Sequence, residues 1–507
     1  MKLALSILAV ITAAGFADQL FVSQAETDET VVYRADDHIV ALGTPAAGDR
    51  LLAEADSRGL NGFALVTVRN ENGVSQASEL GEVVYRNHRT LIVKLYRPLT
   101  GDFMSPDVFS VCPLREDRSP SEPIDIPFRV EYDDTVADIV EAVSEDSLIA
   151  TITNYQNYLT RHSDTEGYDT ACEWSNDRFI SYGLDSELRH FSMLGYDCQN
   201  VIATQTGTIY PDQYWIICGH LDSTSPDPQT DAPGANDNSS GSSAVMEAAR
   251  IMSQYDFEYT VRYCLWGGEE QGLYGSTHYA DSVAAAGDDI LGVVNLDMIL
   301  WYTAPFDSAE VHYNTASENL GIAFHSISSI YVPALKTTSP PCGGVPCSDH
   351  ASFWNAGYAA IMNIEQANFM DPYYHSTDDV MDNYLDCFPF GTNMAKASIA
   401  AVACLAVPTG TGIEEQNHQG LSGQLALQPV QNPATGSFAL SVALPSGGPV
   451  TIQVFDTAGR MVRSLVKDLQ PGTSEIHLAA EDLSPGMYLV KAISASESVS
   501  TRIMLVR

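Results

Sequence analysis

Residues 217–237 read ICGHLDSTSPDPQTDAPGAND. The run Tyr214 to Cys218 that leads into them is apolar, the pattern of a buried strand. It ends in Gly219, His220, Leu221 and Asp222, and a loop rich in Pro and Gly follows to Asp237. Helical spacing begins at Gly241 and runs through Met246, Ala249 and Ile251. A histidine and two acids just past a central strand stand where open α/β sheets carry their chemistry. Taken alone, the stretch reads equally as an ordinary polar loop.

Three later stretches change that balance. Val261 to Trp266 is mostly apolar and runs into Gly267, Gly268, Glu269 and Glu270. Leu291 to Leu296 is apolar and ends in Asp297, and the loop 373–378 (YYHSTD) supplies His375. His220, Asp237, Glu270, Asp297 and His375 are therefore five candidate ligands drawn from separate segments. Imidazole with carboxylate suits zinc and similar divalent ions. Two histidines and three carboxylates exceed one tetrahedral ion and suit two ions sharing a carboxylate, an arrangement used for hydrolysis. Glu269 directly precedes Glu270. With Glu270 on a metal, Glu269 lies close by without being a ligand and is the candidate base for the attacking water.

The ordered motifs GHLDS, PGANDNSSG, GGEEQGLYGS, NLDM and YYHSTDD resemble the M28 zinc aminopeptidases, the group of the secreted bacterial leucyl aminopeptidases. The similarity covers roughly residues 134–407. It implies two Zn2+ ions bridged by Asp237, with His220 and Asp297 on one and Glu270 and His375 on the other. It makes Glu269 the catalytic base and Asp222 the acid that orients His220, accepting its second ring N–H. It further implies a cis peptide after Asp237 and a Cys342–Cys347 disulfide near the substrate pocket. With Met298, that loop would line an apolar pocket and favour Leu-like residues. Some family members carry an oxyanion-stabilising Tyr in the disulfide loop. Gly343, Gly344 and Val345 stand there in this chain, leaving Tyr374 or another Tyr for the role.

The chain has 507 residues, 45% hydrophobic and 18% charged, which suits several ordered domains. A formal charge of −40 repels nucleic acid and anionic membranes, so neither is an expected partner. Lys2 followed by apolar Leu3 to Ala14 reads as a signal peptide within residues 1–17, too short to span a membrane. Export permits disulfides. Of the nine cysteines, Cys172 and Cys198 are a second possible pair, whereas Cys218 and Cys264 lie in apolar strands as buried thiols.

The fold class expected is α/β, with a mixed, mostly parallel sheet flanked by helices over 134–407. Residues 26–130 read as a β-rich domain, either a propeptide or an accessory domain, with a turn at Asn70–Gly73 and a linker over Arg115–Pro127. Asn176 to Tyr182 and Leu184 to Phe191 read as helix, and Thr392 to Ala406 as the last helix of the central region. A linker (409–420) precedes a small β-sandwich (421–507). Its Asn432-Pro433, Val454-Phe455-Asp456 and Gly486-Met487-Tyr488 resemble the C-terminal sorting domains of type IX secreted proteins, with a generic immunoglobulin-like module as the rival.

The expected partners are peptides with a free N-terminus and the type IX secretion machinery. His278, Asp227, Asp231, Asp349 and His350 read as structural or solvated, with Glu365 and Asp378 as acids behind the ligands. A carboxypeptidase or dipeptidase would need a cation for the substrate carboxylate, and none lies in the core motifs. Glutaminyl cyclisation usually needs only one zinc, against which the five-ligand set speaks, and a non-enzymatic relative would have lost ligands, whereas this chain has lost none.

Overall fold

The structure is a computed structural model. It describes residues 18–410 except 28, 36–37, 69–70, 100–108, 128–131, 341–343 and 367–369, and residues 426–506 except 430–433, 436, 445–446, 456–460, 481–482, 484–485 and 495–497. The expected signal peptide, most of the 409–420 linker and Cys342 lie outside the described residues. The fold divides into two units, Met1–Gly412 and Ile413–Arg507.

The first unit is built on an eight-stranded sheet. Its strands run in the order Lys336–Thr338, Ser308–His312, Ala360–Glu365, Asp289–Asp297, Tyr210–His220, Tyr259–Trp266, Tyr196–Gln205 and Asp185–Met193. The four central strands, from Ala360–Glu365 to Tyr259–Trp266, are mutually parallel. The outer pairings are antiparallel, except that Ser308–His312 and Lys336–Thr338 run parallel. Parallel strands covered by helices on both faces must be apolar throughout, and Trp215, Ile216, Ile217, Val293 and Val294 are fully buried. The expected mixed, mostly parallel α/β sheet is borne out.

Helix Gly241–Met252 packs against the centre of the sheet. A Cβ on Gly241 would lie 2.5 Å from the Leu296 carbonyl oxygen, so only glycine lets the helix start this close to the strand carrying Asp297. The last helix, Phe388–Ala406, starts a turn earlier than expected, with Pro389 in its first turn.

Ahead of this sheet lie two four-stranded antiparallel sheets, one with strands Phe63–Val68, Gly81–Asn87, Thr90–Leu95 and Phe109–Pro113. Asn70–Gly73 does not close a hairpin, because helix Glu71–Leu80 starts inside it. Residues 115–127 are not a free linker. Arg118 N–H donates to Asn355 O, Ile124 N–H to Ala316 O and Ser119 Oγ–H to Trp354 O, and Ile126 joins the main core. Pro and acids there prevent helix or ladder formation, yet the segment docks as a strap.

Leu184–Phe191 is not helical. Asp185–Met193 pairs with Tyr196–Gln205 in a hairpin whose turn places Leu194 and Gly195 at positive φ. Cys172 and Cys198 do not pair. Both thiols are free and buried, each interacting with Tyr168, and burial pushes Cys198 up to about 12. Cys218 and Cys264 are free and buried as expected. The second unit has a three-stranded and a five-stranded sheet around a core including Leu440, Ile452, Val490 and Ile503. Among the described residues no helix is long and apolar enough to cross a membrane.

Candidate metal centre

The parallel strands deliver the site. Strand register sets His220 beside Trp266 and Cys218 beside Asn295, so His220, the Glu269–Glu270 turn and Asp297 emerge at one edge of the sheet. Asp237 enters from the loop before helix Gly241–Met252, and His375 from the loop before the last helix. The Asp237–Asn238 peptide is cis, as the resemblance implied. Met298 and His375 sit at φ 50, a strained conformation for such residues and typical of functional sites.

All five expected ligands converge. His220 Nε2 lies 3.2 Å from Asp237 Oδ1 and 3.5 Å from Asp297 Oδ1. His375 Nε2 lies 3.2 Å from Asp237 Oδ2 and 3.0 Å from Glu270 Oε2. Asp237 thus turns a different oxygen to each imidazole. Potential donor atoms of His220, Asp237 and Glu270, and likewise of His220, Glu269 and Asp297, lie within 4.8 Å of one another.

The electrostatics call for added positive charge. Burial opposes protonation of both histidines. The carboxylates of Glu269, Asp222, Asp237 and Asp297 nevertheless hold His220 well above its usual range, and Glu270 with Asp237 raises His375 to about 10. Burial raises Glu269 well above the carboxylate range, and Glu270 and Asp297 add to it while His220 opposes. Burial also raises Glu270, whose Oε1 is buried without a hydrogen-bond partner. Asp237 goes the other way. Burial alone would raise it, but hydrogen bonds from both imidazoles hold it far below. An imidazole–carboxylate set with an orphaned oxygen fits divalent zinc.

Asp222 acts differently from the expectation. His220 Nδ1 is 3.1 Å from the Asp222 backbone carbonyl, but its distance to the carboxylate Oδ1 is 3.7 Å. That carboxylate accepts the Glu269 N–H at 3.2 Å and the Glu270 N–H at 3.1 Å, so it fixes the glutamate pair.

Behind the ligands lies a layer the sequence reading largely missed. Asp379, adjacent to the exposed Asp378, accepts the N–H groups of Asn236 and Asp237 at 2.8 and 3.0 Å. Asn236 Nδ2 donates to Glu365 at 3.0 Å and to Asp371 at 2.9 Å, and Tyr384 OH donates to Asp371 at 3.0 Å. Arg161, fully buried, donates to the carbonyls of Leu221, Pro233 and Gly234 at 2.9, 2.6 and 3.0 Å, pinning both ends of the loop between His220 and Asp237. Nothing in the local sequence marks Arg161 for this, and two adjacent loop acids offer no periodicity to separate Asp379 from Asp378.

The remaining expected residues sort cleanly. His278 stacks on Phe191, and Asp227 and Asp231 are exposed. His350 Nε2 bonds the Val345 carbonyl at 3.0 Å and packs on Trp354, so it forms no triad. Met298, Val345, Cys347 and Tyr374 line the cleft over the ligands, and the Tyr374 ring stacks on His375 at 3.6 Å.

Residues 200–394 match the model of peptidase family M28. This segment is similar to the M28 peptidases. Residues 431–506 match the secretion system C-terminal sorting domain. A probable zinc metalloprotease of Pyrenophora teres is 32% identical over 189 residues, 33% of this chain and 39% of the relative. One from Leptosphaeria maculans is 32% identical over 183 residues, 32% of this chain and 42% of the relative. The match therefore spans about two fifths of those relatives' lengths. The M28 unit also shares its fold with the Legionella pneumophila LapA aminopeptidase, at 20% identity and TM-score 0.54, covering 68% of this chain and 98% of that one. Residues 200–394 are thus similar to a peptidase family, and residues 431–506 to a secretion sorting domain.

Proposed function

We propose that the M28 chain is a secreted di-zinc aminopeptidase that removes N-terminal, chiefly apolar residues from peptides. The observation that carries the reading is Asp237, whose Oδ1 faces His220 and whose Oδ2 faces His375, each at 3.2 Å. His220 and Asp297 would hold one ion, Glu270 and His375 the other, and Asp237 both. Bound zinc supplies Lewis acidity, lowering the pKa of a water and polarising the scissile carbonyl.

The chain's residues do the rest. Glu269 takes a proton from the attacking water on its carboxylate and gives it to the leaving amine nitrogen. Asp222 holds the Glu269 and Glu270 backbones so that base and ligand keep a fixed separation. The acids of the cleft receive the substrate's cationic α-amine, which selects the peptide's N-terminal end. Met298, Val345 and Tyr374 offer the first side chain an apolar wall. The sorting domain supports export.

The test is release of p-nitroaniline from amino-acid p-nitroanilides by the purified chain. The reading requires turnover of the leucine substrate, abolished by a chelator, restored by zinc, and absent when the amine is acetylated. Turnover of the N-blocked substrate alone would sink it.

A further inference from the structure

The cleft above the ligands is not built by the M28 domain alone. Leu65, Thr67, Arg89, Val111 and Cys112, all from the N-terminal β region, line the same cavity as Asp237, Glu269, Glu270 and Asp297. Strand pairing fixes this roof, since Leu65 faces Cys112 and Thr67 faces Thr90, next to Arg89. The docked strap 115–127 ties the roof to the M28 domain.

Arg89 is the one lysine or arginine among the described residues lining this cavity. Its Nε–H donates to Val68 O at 2.9 Å, and its own carbonyl accepts the Val68 N–H at 2.8 Å. The side chain is thereby anchored at both ends of residue 89. Among the described residues no hydrogen bond or ion pair engages its two terminal nitrogens. A guanidinium held this way presents a planar pair of donors, the geometry that grips a carboxylate with two hydrogen bonds. The cavity therefore carries four acids, Asp237, Glu269, Glu270 and Asp297, and one cation, Arg89, among apolar side chains.

A short peptide carries the matching charges, an ammonium at its first residue and a carboxylate two or three residues on. Consecutive Cα atoms lie about 3.8 Å apart, so a di- or tripeptide keeps its two terminal charges within a few residues of each other. We infer that Arg89 is a carboxylate subsite that makes the enzyme selective for di- and tripeptides with a free C-terminus. This rests on the aminopeptidase reading and specifies its substrate. It also supplies, from outside the M28 motifs, the cation those motifs lack.

The test uses the full zinc-loaded chain. kcat/KM is measured for Leu-Gly and Leu-Gly-Gly, for their C-terminal amides, and for leucine p-nitroanilide, in the wild type, Arg89→Ala and Arg89→Lys. A charged hydrogen-bonded pair corresponds to a preference of about 10- to 100-fold for the free acids over their amides. Arg89→Ala brings that ratio to about one, and Arg89→Lys recovers part of it. The ratio is internal to each variant, so partial misfolding does not mimic the result. Equal kcat/KM for acids and amides in the wild type overturns the inference while leaving aminopeptidase action intact. So does Arg89→Ala speeding all substrates alike, which would mark the roof as an obstruction. No turnover of any of these substrates overturns the aminopeptidase reading and the inference together.

Discussion

Asp379 Oδ2 accepts the backbone N–H of Asp237 at 3.0 Å, while its Oδ1 accepts the N–H of Asn236 at 2.8 Å. One buried carboxylate thus fixes the chain on which Asp237, the proposed shared ligand, is mounted. Burial, with Asp371 nearby, pushes Asp379 up to about 8. Outer groups of this kind typically carry 10- to 100-fold in metal affinity. Asp379→Ala is expected to weaken zinc retention by about that factor, read by competition with a chelator of known affinity. Asp378→Ala, one residue away and exposed, is expected to change nothing measurable.

Glu269 is half-buried at the cleft, and the part proposed for it as base requires a proton rather than a metal. Glu269→Gln keeps the shape and removes the base. It is expected to lower kcat by about 10²- to 10⁴-fold with zinc content unchanged. Glu270→Gln is expected to lose metal as well as rate. Zinc analysis of the two variants beside their kcat values separates base from ligand.

Arg161 satisfies three buried carbonyls on the loop joining His220 to Asp237. Each carbonyl left without a partner costs about 1–3 kcal/mol. Arg161→Met is expected to lower unfolding stability by about 3 kcal/mol or more, measured by denaturant titration, and to reduce activity because the loop carries a proposed ligand at each end.

His350 carries an acid sensitivity unconnected with catalysis. Burial, helped by His312, lowers its pKa from 6.5 to about 3, against the pull of the Val345 carbonyl. The folded chain therefore keeps it neutral while the unfolded chain binds a proton below pH 6.5. Its contribution is intact above about pH 6.5 and is lost as pH falls toward 3. By pH 5 the loss is about 2 kcal/mol. His350→Gln is expected to show a smaller fall in urea midpoint between pH 7 and pH 5 than the wild type.

Much of the site was legible because a buried parallel strand announces itself as an apolar run, and three such runs end at or just before His220, the Glu269–Glu270 pair and Asp297. Asp237 and His375 followed from motif order. The misreadings have particular causes. Leu184, Leu188 and Phe191 fall at helical spacing, yet the residues form an edge strand because Leu194 and Gly195 make a turn after them. The 115–127 strap is polar enough to read as linker, but its backbone groups find partners on Ala316 and Asn355, distant in sequence. Arg161 and Arg89 act through contacts that no local pattern encodes.

The most direct measurement is zinc content against activity in the wild type and Asp237→Ala. Two zinc ions per fully active chain, with both ions and activity lost together in Asp237→Ala, are expected if this carboxylate joins the two halves of the centre. Full activity with one ion or none per chain, or an Asp237→Ala protein that keeps both ions and its rate, would contradict it.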